Sequence, residues 1–218
     1  LNDPGLAAAF LTLIQPDAVF YVPRFSDRSF ESKSANYLAA LSQALETKEA
    51  LLVSWLQPEE SIKPFISCEH LLIRLPEVFY CSSTKNLITD WIDKILSRKR
   101  ITVSGNKPLR LIGRHLLVQM TVAAALKCLA NTGVEGVYKL AANGETSLFE
   151  LVSFIHSILA RLLPNHKLAK LSFAEEEPVP LSEEFDTSFM ENFNVILPGW
   201  RTGVEETIVA FLVHRKLF

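Results

Sequence analysis

Two groups of side chains in this sequence have types and spacing that fit chemistry. Ser54 closes the apolar run Ala50-Leu51-Leu52-Val53-Ser54. A hydroxyl at the carboxyl end of a buried strand lies where open α/β sheets place their sites, and there it polarises a carbonyl. No GxSxG elbow surrounds it, so it is poorly supported as a nucleophile, and the competing reading is a serine that merely ends a strand. The second group is the one basic stretch: Lys94, Arg98, Lys99 and Arg100, followed by Lys107, Arg110 and Arg114. Guanidinium groups in such a run can meet a diphosphate bidentately, and Arg110 and Arg114 are the expected ligand-binding pair. The competing reading is the solvated face of a helix and its loop. By the same logic Glu175-Glu176-Glu177 and Glu183-Glu184 read as a solvated loop, and Trp200-Arg201 as a packing anchor.

Other chemistries find little support. Cys68, Cys81 and Cys128 form no CxxC pair, and an odd, sparse count reads as reduced, intracellular and cytoplasmic. Zinc needs clustered Cys and His, whereas His70, His115, His156, His166 and His214 are scattered, so no metal site is expected. Cys68 and His70 are the sole near-pair and read as packing residues. A dinucleotide needs a glycine turn between strand and helix that lets backbone N–H groups approach the pyrophosphate. Gly5, Gly105, Gly113, Gly133, Gly136, Gly144, Gly199 and Gly203 complete neither GxGxxG nor GxxGxxG, and no P-loop occurs.

The elements that must position these residues fit a globular α/β chain. The 218 residues are 49% apolar and 21% charged, enough for one large domain or a core with a smaller lobe. The formal charge of −2 leaves no overall basic footprint for nucleic acid. No apolar run reaches the ~18 residues of a membrane span, so no membrane partner is expected either.

Asn2-Asp3-Pro4 reads as a helix start, followed by Leu6, Phe10, Leu13 and Ile14 at helical spacing. Ala18–Val22 reads as a buried strand, Ser34–Leu45 as a helix, Ala50–Ser54 as a second strand and Leu71–Leu75 as a third. Gln57–His70 is polar and broken by Pro58 and Pro64. Asn86–Arg98 is predicted helical, Arg100–Val103 a short strand, and His115–Leu129 a helix closed by Asn131 and Gly133. Gly136–Leu140 reads as a strand, and Ser147-Leu-Phe-Glu150 as a capping box opening a helix through Leu162. A short helix at Ser188–Phe193 and a last one from Val204 complete the chain. Short apolar strands alternating with helices predict a mostly parallel sheet.

Several stretches, in order, resemble the extended short-chain dehydrogenase/reductases, and within them the dTDP-4-dehydrorhamnose reductase family. Asp3-Pro4 with Gln15-Pro16-Asp17-Ala18-Val19 resembles that family's helix and "PDxV" strand. Asn36 matches the Asn that opens its next helix, and Leu71-Leu72-Ile73-Arg74 its "LxLR" strand. Gly136–Ser147 resembles "GxYHLxxxGxxS", and Phe185-Asp186-Thr187-Ser188 with Leu197-Pro198-Gly199-Trp200-Arg201 resembles "LDTSKL…PxW".

The resemblance implies a Rossmann-like, mostly parallel sheet lacking its first βαβ units, with a small C-terminal α+β substrate lobe. The expected division is a core of residues 1–80 and 114–141 and a lobe of 81–113 and 142–218. It also implies a nucleotide-sugar ligand, and NAD or NADP if the nucleotide site is intact, otherwise no cofactor. The family reduces a 4-keto nucleotide sugar with a Ser/Thr, a proton-donating Tyr and a Lys. Ser54 matches the Ser/Thr. Tyr21, Tyr37, Tyr80 and Tyr138 are followed four residues on by Phe25, Leu41, Thr84 and Ala142, so Tyr-x-x-x-Lys has no counterpart. Pro23-Arg24-Phe25 stands where the family has small residues near the cofactor, and the chain starts almost directly on a helix where the family has a strand and glycine loop. These departures predict a non-catalytic binding or regulatory subunit. The alternatives are an active reductase or epimerase whose missing segments lie outside this chain, and a structural assembly component. Loss of the first strands bares the Ala18–Val22 edge, so a homo-oligomer or a partner chain is expected to cover it.

Overall fold

The computed structural model describes residues 4–22, 31–46, 50–56, 66–97, 99–105, 107–130, 133–174 and 186–217. Several features singled out above lie outside these residues: Asn2-Asp3, Pro23-Arg24-Phe25, Pro58 and Pro64, Arg98, Asn131, Glu175-Glu176-Glu177, Glu183-Glu184 and Phe185. So does the side chain of Asn36.

The chain divides into two compact units. Residues 1–75, 119–140 and 187–195 form the first, and 76–118, 141–186 and 196–218 the second. Segment 187–195, placed with the lobe on sequence grounds, joins the sheet unit, because its aromatic side chains pack there.

In the first unit, α1 (Pro4–Ile14) leads into β1 (Ala18–Tyr21), α2 (Glu31–Leu45), β2 (Leu51–Leu56) and β3 (His70–Arg74). The second unit intervenes with β4 (Val78–Tyr80), α3 (Leu87–Ser97), β5 (Arg100–Val103), β6 (Pro108–Leu109) and β7 (Leu111–Gly113). Helix α4 (Arg114–Ala130) begins in the second unit and ends in the first, before β8 (Gly136–Lys139). The chain continues through β9 (Thr146–Ser147), α5 (Leu148–Leu162), β10 (Lys170–Phe173), α6 (Ser188–Phe193) and α7 (Trp200–His214).

Strands β1, β2, β3 and β8 form one parallel sheet in that order, which is the Rossmann-like arrangement predicted. Residues paired across parallel strands share a face, and successive residues alternate. Leu52 and Leu56 of β2 and Leu72 of β3 therefore face one way, where they pack with Ala7 of α1 and Leu38, Leu41 and Leu45 of α2. Trp55, Ile73 and Tyr138 are in register on the other face. There the indole Nε1 of Trp55 donates to Thr121 Oγ1 of α4 at 3.0 Å. Tyr138 meets Phe189 and Phe193 of α6 edge-on, with ring centroids 5.9 and 5.1 Å apart. Helices thus cover both faces, which is why the strands read as continuous apolar runs.

The second unit centres on α3, α5 and α7. Their buried stripes, among them Ile88, Ile92 and Ile95, then Leu151, Ile155 and Leu159, then Val204, Ile208 and Leu212, form one core. Around it lie three two-stranded pairs: β5 with β10 and β4 with β7, both parallel, and β6 with β9, antiparallel. The capping box at Ser147 forms by half. Ser147 Oγ accepts from the Glu150 N–H at 3.1 Å, whereas the Glu150 carboxylate turns to Thr146 Oγ1 and Arg201. Helix α7 starts at Trp200, four residues before the predicted Val204, and the Trp200 ring is an anchor in the core as expected.

Candidate functional site

Ser54 lies in the first unit, and the structure corrects its position. Strand β2 runs on to Leu56, because Trp55 and Leu56 stay paired with Ile73 and Arg74, and the Leu75 N–H then donates to the Leu56 carbonyl at 2.9 Å. Ser54 is thus interior to the strand, paired with Tyr21 and Leu72, on the same face as Leu52 and Leu56. It is 2% exposed, and its Oγ donates to the neighbouring Trp55 carbonyl at 3.5 Å. In this arrangement the hydroxyl meets neither solvent nor a titratable side chain among the hydrogen bonds it makes.

Arg110 and Arg114 lie in the second unit at the entrance to α4. The Arg110 Nε–H donates to Glu145 Oε1 at 2.6 Å, with both side chains about four-fifths buried. Its charge is therefore already opposed by a carboxylate, a partner that no local spacing signals, since it lies 35 residues away in the chain. Arg114, the first residue of α4, is exposed, and its Nη1 donates to Ser83 Oγ at 3.3 Å. No acidic residue stands in the first turn of α4, so the guanidinium, the hydroxyl and the positive end of the helix dipole together favour an anion.

The loop that presents Ser83 is stitched to α3. Asn86 Oδ1 accepts from the Ile88 and Thr89 N–H groups, and Thr89 Oγ1 accepts from the Asn86 N–H at 2.9 Å. This is the N-cap that the helix needs. Asn86 Nδ2 in turn donates to the carbonyls of Cys81 and Thr84, at 2.6 and 2.8 Å. Burial pushes the Cys81 thiol up, but hydrogen bonds with Thr84, at 2.9 Å, and with Ser83 outweigh it and hold the thiol below its usual range. A run of hydroxyl residues directly before a helix, Ser82-Ser83-Thr84, is the signal by which this loop was findable in the sequence.

His70 Nδ1 lies 3.0 Å from the Cys68 carbonyl, so the near-pair is a ring-to-backbone contact. Among the described residues no group of His, Cys, Asp and Glu could hold a metal ion, and the cysteines are free thiols. No described helix is long and apolar enough to cross a membrane. Burial, with Glu135 nearby, pushes the Cys128 thiol up to about 11. A thiol that holds its proton more tightly when folded contributes stability that is complete below the unfolded value of 9.0 and is lost as pH rises through about 11. Urea unfolding of wild type and Cys128→Ala at several pH values from 8 to 11 tests this. The wild type should lose more stability than the variant over that range, and identical losses would refute the assignment.

Among the described residues no glycine presents an open strand-to-helix turn of the kind a dinucleotide needs. Gly113, at the turn from β7 to α4, is the glycine best placed to cradle a phosphate. A Cβ built there meets the Tyr80 ring at 3.0 Å, so its open side is filled by that ring. The glycines with positive φ, at 105, 133, 136 and 144, do not stand at a strand-to-helix turn.

No family model matches the chain. No curated protein matches it either. Solved structures do. One is a dTDP-4-dehydrorhamnose reductase from Bacillus anthracis in complex with NADP, 15% identical, with 95% of this chain and 85% of that one covered and a TM-score of 0.66. Another is the UDP-glucose 4-epimerase of Thermotoga maritima with UDP-glucose, 10% identical, covering 100% and 83% at a TM-score of 0.67. A third is the ADP-L-glycero-D-manno-heptose-6-epimerase of Helicobacter pylori, 13% identical, covering 100% and 77% at 0.66. The fold is therefore that of the nucleotide-sugar reductases and epimerases which the motifs resemble.

Proposed function

We propose that this chain is a non-catalytic relative of the nucleotide-sugar reductases that binds a nucleotide sugar through its second unit and acts as a binding or regulatory subunit. The observation that carries this reading is Ser54. It is the one residue that matches the family's catalytic set, and its hydroxyl is buried within a strand and bound to that strand's own backbone. The absent Tyr-x-x-x-Lys pair and the ring-filled turn at Gly113 support the same conclusion for proton donation and for the cofactor. The free thiols fit a reducing compartment, the cytoplasm.

Arg114 is the residue we assign to the ligand. Its exposed guanidinium, Ser83 Oγ and the start of α4 offer a diphosphate a cation and directed donors, while Arg110 is held by Glu145. The test uses UDP-glucose and a dTDP-sugar as ligands, followed by calorimetry and by NADPH oxidation with a 4-keto sugar as acceptor. Expected results are measurable binding, no hydride transfer above background, and affinity lowered about tenfold or more in Arg114→Gln, the loss of one charge-assisted contact. Turnover would overturn the non-catalytic reading. Binding unchanged in Arg114→Gln, or no binding at all, would overturn the assigned site.

A further inference from the structure

We infer that the outer face of the β5 and β10 strand pair, in the second unit, docks an extended acidic segment of another protein. The basic stretch of the sequence divides in the fold. Arg110 is held by Glu145 and Arg114 opens α4, whereas Lys99 and Arg100 lead into β5 and are brought beside β10. The two strands are parallel, with Arg100 beside Lys170, Ile101 beside Leu171, Thr102 beside Ser172 and Val103 beside Phe173. Ile101 and Val103 belong to the core, so alternation turns Arg100, Lys170, Thr102 and Ser172 to the opposite face. Arg100, Thr102 and Lys170 are exposed there, and Ser172 is half-buried.

This face carries a cation pair followed by a hydroxyl pair. The Lys170 N–H donates to the Lys99 carbonyl at 3.0 Å, and Lys99 and Lys167, both exposed, add to the positive charge at this end. Among the described residues none of these four cations makes an ion pair. Arg100 and Lys170 are about 4.8 Å apart at the backbone, the spacing of neighbouring strands. Like charges directly opposite one another destabilise a sheet, and a carboxylate between them removes that cost while gaining two charge-assisted contacts. One step along, Thr102 Oγ1 and Ser172 Oγ lie 3.1 Å apart.

An extended polypeptide is the occupant that matches this pattern. Its same-face side chains recur every two residues, about 6.6 Å, which is also the step from the cation pair to the hydroxyl pair. A carboxylate seated on Arg100 and Lys170 therefore carries the next same-face side chain onto Thr102 and Ser172. Nucleic acid fits less well. Single strands bind by stacking bases on rings as well as by phosphate contacts, and none of the four side chains on this face is aromatic. The formal charge of −2 gives no wider basic field to hold a phosphate backbone.

Fluorescence polarisation of a labelled peptide of alternating Glu and Thr, titrated with the whole chain, is the test. Saturable binding that weakens with added salt is expected, together with no binding of the same peptide carrying Gln for Glu. Arg100→Glu and Lys170→Glu, made singly, should each weaken binding about tenfold or more, with unchanged far-UV circular dichroism spectra. Lys107→Glu, the same change of charge at another exposed site of the second unit, should alter it less than about twofold. No binding by the wild type, or equal losses in all three variants, would overturn the proposal. So would tighter binding of an oligodeoxythymidylate of equal charge, which would make the face a nucleic-acid surface. A gain of about tenfold when Glu175, Glu176 and Glu177 are all changed to Gln would overturn it as well, because those acids would then be the occupant of the face.

Discussion

Trp200→Ala should lower the free energy of unfolding by about 3–5 kcal/mol, the range for deleting a fully buried tryptophan. Trp200 is 2% exposed and belongs to the same core as α3, α5 and α7. Its ring meets Phe154 of α5 edge-on at 5.3 Å, and the Arg201 guanidinium lies over the indole, 4.6 Å from a ring centroid. Its backbone is held as well: the Trp200 N–H donates to the Asn143 carbonyl at 3.2 Å, and the Asn143 N–H donates to Pro198 at 2.9 Å. The segment cannot slide inward to refill the void, so transfer and cavity costs add. Urea titration followed by circular dichroism reads the effect. A loss below about 1 kcal/mol would mean that the ring is not the anchor described, and Trp200→Phe should recover part of the stability.

Gly203→Ala should also destabilise, against the usual direction. Glycine inside a helix ordinarily costs about 1 kcal/mol relative to alanine, so the substitution would stabilise an isolated α7. Here a Cβ at position 203 would lie 2.6 Å from Tyr80 Oη. The phenol has little room to give way, because the ring is fully buried and also packs tightly over Gly113, 3.0–3.3 Å from where a Cβ there would stand. Overpacking of this kind costs about 1–3 kcal/mol. Tyr80→Phe removes the colliding oxygen and leaves the ring carbon at 3.7 Å, an ordinary contact. Alanine at 203 should then be neutral or stabilising, giving a coupling of about 1–3 kcal/mol in the double-mutant cycle. Additive effects would show that the two positions do not meet.

The elements that were legible in the sequence are those whose signals are local. The strand at Ala18, the helix ending at Leu45, the short helix Ser188–Phe193 and the strand Arg100–Val103 all stand where apolar runs and periodicity put them. Strands β4, β6, β7, β9 and β10 did not declare themselves. They are two to four residues long, too short for an alternation to register, and their partners are distant. Lys170–Phe173, for instance, is a strand because it pairs with Arg100–Val103, seventy residues earlier.

The candidate sites divide the same way. Residue type alone marked Arg110 and Arg114 as groups able to meet a diphosphate, and the absence of glycine motifs and of Tyr-x-x-x-Lys was complete in the sequence. What only the tertiary structure decided is which of those groups is free to act. Glu145 reaches Arg110 through a fold contact and neutralises it, whereas Arg114 stays exposed beside Ser83. Pairing with β3 carries β2 two residues past Ser54 and shuts its hydroxyl into the sheet. Chemical identity and local periodicity are properties of the chain, but burial and charge pairing depend on neighbours brought in from far along it, and those depend on how the sheet and helices close.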